Sequence, residues 1–343
     1  MNNSELEVGS WKLEVGDKPR GQTPSSNFQP LISIILVNWN GAHHLRTCFN
    51  ALRAQTFRNF ESILVDNDSH DPSLELLANE FPEVTVIALK ENRGFAGGSN
   101  VGIREARGDI IILLNNDTEV DPGWLAEVVA AFERHPEAGS VASKMKLFDQ
   151  RDRFHTTGDF YRLDGIPGNR GVWEIDRGQY DREEYVFSAC GGSAAYRRTV
   201  LDRIGLLDED FFFSCEDVDL GWRAQLAGFK CVYAPRAVVY HKLKASGGGA
   251  TASYYDGRNF IWLIAKNYPS SLWQTYRGVI VRTQWALFTE ALRAYRGEAA
   301  RARIRGMFAG LIGLRKMLKK RRAIQDARRV DEAYLRSILS PVK

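Results

Sequence analysis

Apolar residues in the first third of the chain come in short runs rather than long stretches. The runs are Ile32-Ser-Ile-Ile-Leu-Val37, Ser62-Ile-Leu-Val65, Val84-Thr-Val-Ile-Ala-Leu89 and Ile110-Ile-Ile-Leu-Leu114, each bounded by polar residues or glycine. Segments 43–55, 71–80 and 95–107 between them, and 121–134 after the last, have helical character. Strands alternating with helices predict βαβ units and a mostly parallel sheet. The near-continuous hydrophobicity of the strands fits burial on both faces. Asp121-Pro122 predicts a helix start, with an aspartate N-cap and proline at the first helical position.

Beyond about residue 140 the pattern changes. Strands are predicted at 139–147, 185–190, 230–234 and 237–240, with a loop-rich stretch at 150–184 and a helix at 216–227 ended by Gly228. Gly247-Gly248-Gly249 predicts a flexible connection. From 255 onward the chain reads as helices, interrupted at Pro269, with helical apolar spacing over 306–320. Residues 1–30 are polar with no sustained period and read as a flexible leader.

Composition narrows the class. Four scattered cysteines form no CxxC pair, which argues against a disulfide framework or zinc ribbon and fits a reducing cytosol. There is no signal-peptide layout at the N-terminus and no run of about 18 apolar residues. The expectation is a soluble or peripheral protein in the cytoplasm. The net charge of +4 is unevenly spread. Residues 255–343 hold 19 Lys+Arg against 6 Asp+Glu, and the remaining 254 hold 27 against 36. A tail of this polarity suits an anionic membrane surface, nucleic acid or an acidic partner, or is simply a solvated face.

Candidate chemistry follows from the strand ends. In an open parallel α/β sheet, ligands bind beyond the carboxyl ends of the strands. Those ends carry Asn38-Trp39-Asn40-Gly41, Asp66-Asn67-Asp68-Ser69, Asn92-Arg93-Gly94-Phe95 running on to Asn100, and Asn115-Asn116-Asp117. Any one of these could be a capped turn. Together they predict a cleft for a polar, nucleotide-bearing ligand contacted by Asn38, Asn40, Asp66, Asn92, Gly94, Phe95, Asn100, Asn115 and Asn116. Gly94, Gly97 and Gly98 do not have GxGxxG spacing, so a dinucleotide reading is weak. Asp117, an oxygen donor after two amides, suits Mg²⁺ or Mn²⁺ bridging to substrate phosphates, or caps the turn toward Pro122.

Five motifs in order resemble the family-2 glycosyltransferases, whose fold is GT-A, and most closely bacterial rhamnosyltransferase-like members. They are Val37-Asn-Trp-Asn40, Val65-Asp-Asn-Asp-Ser69, Asn92-Arg-Gly-Phe-Ala-Gly-Gly-Ser-Asn100, Leu114-Asn-Asn-Asp-Thr118 and Glu216-Asp-Val-Asp-Leu-Gly-Trp-Arg223. The resemblance covers about residues 31–270. It implies an α/β GT-A domain over 31–254, with a nucleotide-binding half at 31–140 and an acceptor-binding half at 141–254, followed by a basic helical region at 255–343. It implies that Asp66 bonds the pyrimidine base and that Asn115-Asn116-Asp117 stands at the Asp-x-Asp metal motif. The first position here is Asn, which leaves Asp117 as the one carboxylate. It further implies that Asp217 is the catalytic base, that His241 completes the metal site, and that the glycines beyond His241 hinge a closing loop. Acceptor contacts are expected at Gly191, Gly192 and Glu216.

A single carboxylate behind the acceptor suffices for direct displacement with inversion, provided the departing diphosphate's charge is met. That separates such an enzyme from glycoside hydrolases, which flank the bond with two carboxylates. Glu216 and Asp217 also open a helix, where acids are favoured by the dipole. Trp222 can stack on a sugar or pack in a core, and Arg223 is placed with it among acceptor contacts. The C-terminal mix of Trp273, Trp285, Phe288 and Leu292 with arginines suits an interfacial helix on an anionic membrane, or an oligomer interface. No reader motif supports nucleic acid.

The function expected from the sequence is an inverting, metal-dependent glycosyltransferase. It would move L-rhamnose from dTDP-rhamnose onto a cell-surface glycan or a polyprenyl-diphosphate-linked precursor. Alternatives are UDP-galactose or UDP-N-acetylglucosamine as donor on the same fold, and a non-catalytic sugar- or membrane-binding module.

Overall fold

The computed structural model describes residues 29–243 and 249–342. Most of the expected leader, and Gly247 and Gly248 of the expected hinge, lie outside the described residues. The first half runs β1 (Ile32–Asn38), α1 (Ala42–Arg53), β2 (Phe60–Asp66), α2 (Ser73–Glu80), β3 (Thr85–Ala88), α3 (Gly94–Glu105), β4 (Ile110–Leu114), β5 (Thr118–Val120) and α4 (Trp124–Arg134). It continues with β6 (Ala138–Leu147), short strands β7 (Phe154–Thr156), β8 (Asp159–Tyr161), β9 (Pro167–Asn169) and β10 (Glu184–Val186), then β11 (Ser193–Arg197) and α5 (Arg198–Ile204). The remainder is α6 (Glu216–Leu226), β12 (Lys230–His241), α7 (Gly249–Asn267), α8 (Ser270–Arg293), α9 (Glu298–Ile312), α10 (Leu314–Asp326) and α11 (Glu332–Ile338).

The main sheet has the order β10-β12-β6-β11-β4-β1-β2-β3, with β5 paired to β12 and β7 to β6. β4, β1, β2 and β3 are parallel, as the apolar runs predict. The side chains of β1, β2 and β4 are largely buried on both faces, whereas the edge strand β3 is mostly exposed. Helices α1, α2 and α4 supply Leu45, Phe49, Leu77, Trp124 and Phe132 to one core, and α3 supplies Ala96 and Ile103 to the other. At about 1.5–3 kcal/mol for each fully buried Val, Leu, Ile or Phe, these two layers dominate the stability of the half that presents the strand ends.

Three details differ from the sequence expectation. The segments 230–234 and 237–240 are one strand, β12, carrying a register shift between Ala234 and Val238. The expected strand at 185–190 is only Glu184–Val186, and a strand follows it at Ser193–Arg197 that the sequence did not announce. That strand, Ser-Ala-Ala-Tyr-Arg, has little apolar bulk, yet it is inserted antiparallel between β4 and β6. Asp121 is not the α4 N-cap, because the helix begins at Trp124 and Asp121 Oδ1 instead accepts from the Gly123 amide, 3.0 Å.

The C-terminal helices fasten onto the second half through a separate aromatic core. Trp222, Tyr161, Phe187 and Tyr268 meet edge to face or tilted, and Met317 and Leu335 complete the cluster. Helices α7 and α9 approach closely because Gly306 and Gly257 sit at their crossing. A Cβ at Gly306 would overlap the Tyr254 carbonyl, and one at Gly257 would overlap that of Arg303. Among the described residues no helix is long and apolar enough to cross a membrane.

Candidate active site

The ends of β1, β2 and β4 are tied together by their own side chains. Asn38 Nδ2 donates to Asp66 Oδ1 (2.9 Å) and Ser69 Oγ (3.1 Å), while Asn38 Oδ1 accepts from Asn116 Nδ2 (2.7 Å). Asp66 Oδ2 accepts from the Ser69 amide, and the side chain is buried. Each Asp66 oxygen thus accepts one hydrogen bond and keeps a second lone pair for a further donor such as a base N–H. Asn40, exposed at φ 52°, orders the next turn by accepting from the His70 amide. Asn92 Oδ1 accepts from Asn67 Nδ2 and the Gly94 amide. Gly94, at φ 70°, starts α3, and Phe95 beside it faces the cleft. Asn100 is a correction: it is buried, with its amide spent on the Leu207 backbone and Glu209, so it braces α3 against 207–209 instead of meeting a ligand.

Asp117 and His241 are brought together by strand register. β5 pairs antiparallel with β12 so that His241 lies opposite Thr118, and the Lys242 amide donates to the Asp117 carbonyl. His241 Nε2 is 3.0 Å from Asp117 Oδ1, and Asn115 Nδ2 is 3.2 Å from the same ring nitrogen. The Asp117–His241 pair lacks hydrogen-bond alignment, and Oδ1 is buried with no hydrogen-bond partner among the described residues. A buried carboxylate oxygen left unsatisfied beside an imidazole nitrogen is costly without a further partner. Among the described residues no group of three or more His, Cys, Asp or Glu side chains is placed to hold a metal. One carboxylate and one imidazole nevertheless fit a Mg²⁺ or Mn²⁺ whose remaining positions belong to water and substrate phosphates.

His155 is a neighbour that sequence reasoning missed. Its Nδ1 lies 3.1 Å from His241 Nδ1, and burial followed by the His241 charge pushes its pKa down to about 3. It lies in the 150–184 stretch, where no motif marks it, and is brought in by β7 pairing with β6.

A cleft of about 410 Å³ opens beside this pair, with Phe95, Asn115, His155, Gly191, Gly192 and Asp217 on its walls. Asp217 sits in the first turn of α6, after Cys215 at φ 68°. Its Oδ2 accepts from the Gly191 amide, 2.7 Å, and its Oδ1 from the Val218 amide, 2.7 Å. The Gly192 carbonyl accepts from the Asn115 amide, 3.1 Å, so the glycine pair links the carboxylate to the strand end that carries Asn115. Burial raises the Asp217 pKa against the pull of those amides. Glu216 is pushed up to about 8, first by burial and then by the Asp217 charge, and its Oε2 has no hydrogen-bond partner among the described residues. Asp159 also faces the cleft, raised well above the carboxylate range by burial and the Asp217 charge, and it accepts from Ser188 Oγ.

Two expected acceptor contacts are corrected. Trp222 is fully buried in the aromatic core and cannot stack on a bound sugar. Arg223 is buried on the same helix, paired to Asp219 at 3.0 Å and donating to the carbonyls of Ile204, Gly205 and Leu206. The third acid of the motif, Asp219, is a structural ion: burial alone would raise its pKa, but Lys266 and Arg223 hold it below the usual range.

Comparison with known proteins identifies the fold and the family. The fold matches GalNAc-T7, solved with UDP, GalNAc and Mn²⁺, with TM-score 0.58 at 16% identity over 70% of this chain and 48% of that one. The architecture is thus that of a GT-A glycosyltransferase. The Glycosyl transferase family 2 model matches residues 33–205, and the chain belongs to that family. It is 31% identical over 231 residues to the O-antigen biosynthesis protein RfbC of Myxococcus xanthus, covering 63% of this chain and 18% of that protein. The chain thus spans less than a fifth of that relative's length. It is 25% identical over 295 residues to N-acetylglucosaminyl-diphospho-decaprenol L-rhamnosyltransferase of Mycobacterium tuberculosis, covering 78% of this chain and 95% of that one.

Proposed function

We propose that this protein is an inverting, metal-dependent glycosyltransferase using Asp217 as base. The observation that carries the reading is the shared cleft: Asp217 and Asn115 both line it, and Asn115 is in contact with His241 beside Asp117. A hydroxyl oxygen of the acceptor attacks the anomeric carbon from the face opposite the diphosphate. The bond from that carbon to the diphosphate oxygen breaks and its electron pair leaves with the diphosphate. The acceptor proton passes to the Asp217 carboxylate. A general base works best with a pKa near the working pH, and burial moves Asp217 in that direction. The Gly191 and Val218 amides fix the carboxylate while this happens. Asp117 and His241 would hold the divalent cation, which supplies charge neutralisation at the leaving diphosphate.

The donor we propose is dTDP-L-rhamnose and the acceptor a polyprenyl-diphosphate-linked glycan at an anionic membrane surface on the cytoplasmic side. The mycobacterial relative's name supports the sugar and the lipid, and the exposed apolar and basic side chains of α8–α10 support the membrane. The test is a thermal-shift panel of nucleotide-sugars with and without Mn²⁺, followed by NMR assignment of the anomeric configuration of the product. At 100 times its dissociation constant the donor should stabilise by about 2.7 kcal/mol. Retention of anomeric configuration, or stabilisation by no nucleotide-sugar, would overturn the proposal.

A further inference from the structure

The residues that serve catalysis leave one large feature of the molecule unused. An open groove of about 750 Å³ runs between α7, α8, α9 and α10, walled by Trp273, Val281, Trp285, Phe288, Phe308 and Leu311. No acid lines it, and its polar groups are few. They include Arg321, and Gln284, whose Nε2 is buried with no hydrogen-bond partner among the described residues.

The surroundings say what would occupy it. Of the large apolar side chains exposed on this molecule, nine lie between Trp273 and Leu318, including Trp285 at 64% and Ile312 at 85% exposure. Soluble monomers rarely leave apolar surface concentrated in this way unless it binds something. The same helices carry Arg277, Arg282, Arg293, Arg305, Arg315, Lys319 and Arg322, none with an ion-pair or side-chain hydrogen-bond partner among the described residues. By contrast Lys316 and Lys320 are committed to Asp208 and Asp210. An apolar channel with a few donors, no acid and a cationic surround calls for a long hydrocarbon bearing an anion. A second copy of the chain fits poorly, because a two-fold contact would set this cationic face against itself. The groove also adjoins the cleft: Asp256 and Phe260 of α7 face the catalytic pocket, while Ile261, Ile264 and Ala265 of the same helix face the groove.

We propose that this groove binds the isoprenoid chain of a phosphorylated polyprenyl lipid, with the phosphate end met by Arg321 and Gln284, so that the lipid's glycan head is delivered across α7 to Asp217. This rests on the lipid-linked acceptor proposed above and adds the place where the chain is held.

The experiment measures binding of the full chain to phosphatidylcholine vesicles containing undecaprenyl phosphate, by co-sedimentation and by the emission of Trp273 and Trp285. Vesicles carrying phosphatidylglycerol at equal surface charge are the comparison. The expected result is about tenfold or greater preference for undecaprenyl phosphate, lost in Leu311→Asp and in Phe308→Asp. Both positions are more than half exposed, so the variants should keep wild-type dTDP binding and melting temperature, which are measured alongside. Equal binding to both kinds of vesicle, no binding to either, or a concentration-dependent dimer that shields Trp285 without lipid would overturn the groove assignment. Groove-dependent binding without transfer to a polyprenyl-linked glycan would leave the groove standing and end the acceptor reading. Transfer to that glycan with unchanged KM in Leu311→Asp would do the reverse.

Discussion

The Gly191 amide donates a 2.7 Å hydrogen bond to Asp217 Oδ2. A side chain is hard to accommodate at that point, since a Cβ on Gly191 would stand 3.3 Å from Oδ2 and 3.4 Å from the Phe95 ring. The bond holds the carboxylate in one orientation and leaves room for an acceptor in front of it. Asp217→Asn keeps the shape and removes the base. Transfer should fall by about 10²–10⁴ in kcat, while dTDP-sugar affinity measured by calorimetry stays within about twofold. A matching loss of donor affinity would show that Asp217 binds the donor and is not the base.

Glu216 gives this site a pH signature in stability. Its pKa is raised to about 8 in the folded protein by burial and by Asp217, against an ordinary value of 4.5. A carboxyl raised on folding contributes its full stabilisation below the unfolded pKa and loses it as pH rises through the folded one. Stability of the native protein should therefore decline between about pH 4.5 and 8, by an amount on the order of a few kcal/mol. Glu216→Gln, which is neutral throughout, should flatten that decline and become the more stable protein at pH 8. Parallel denaturation curves for the two proteins across this range would contradict the burial account.

His241 presents Nε2 toward Asp117 and Asn115, and its Nδ1 lies against His155. A ring that offers Nε2 as a lone pair carries its proton on Nδ1, and His155 Nδ1 is then the acceptor that fixes this tautomer. Partners of this kind commonly change metal affinity by about 10–100-fold. His155→Ala should weaken Mn²⁺ binding by that order, read by the EPR signal of free Mn²⁺ in a titration of the protein without substrate. Asp117→Ala should weaken it further. Unchanged Mn²⁺ affinity in His155→Ala would reduce the contact to simple packing.

Legibility in the sequence followed the kind of signal each part leaves. The parallel strands β1, β2 and β4 were readable because burial on both faces demands an unbroken apolar run, and Ile110–Leu114 is such a run. β11 was not, because Ser193-Ala194-Ala195-Tyr196-Arg197 owes its place to the strands on either side. The cluster at the strand ends was readable as a rim, since Asn38 and Asp66 directly follow apolar runs and Asn116 stands one residue beyond the run that ends at Leu114. How they share hydrogen bonds was not, because side-chain partners are set by register between elements distant in sequence. His155 had no chance of being found, as only the pairing of β7 with β6 carries it to His241. Trp222 and Arg223 misled for the opposite reason: they stand within a motif that includes Asp217, but helical periodicity turns them toward the core.

That difference of face makes a last prediction. Asp219, Arg223 and Lys266 form a buried ion cluster, with Lys266 Nζ 2.7 Å from Asp219 and also bonded to Asp208. Asn267 donates to Asp219 Oδ1 at 2.8 Å, and Lys266 is almost wholly buried. Removing one partner leaves charge in a poorly solvated place, at a cost of about 3–5 kcal/mol. Lys266→Met and Arg223→Ala should each lower the midpoint of chemical denaturation accordingly, because each strands part of the Asp219 charge. If Arg223 contacted acceptor, its replacement would raise the acceptor KM at little cost in stability. The structure requires the opposite pattern: a large loss of stability, with acceptor KM near wild type in the fraction that remains folded at low temperature. Urea denaturation and acceptor-saturation kinetics on the same preparation separate the two, and a raised KM in a protein of undiminished stability would return Arg223 to the acceptor site.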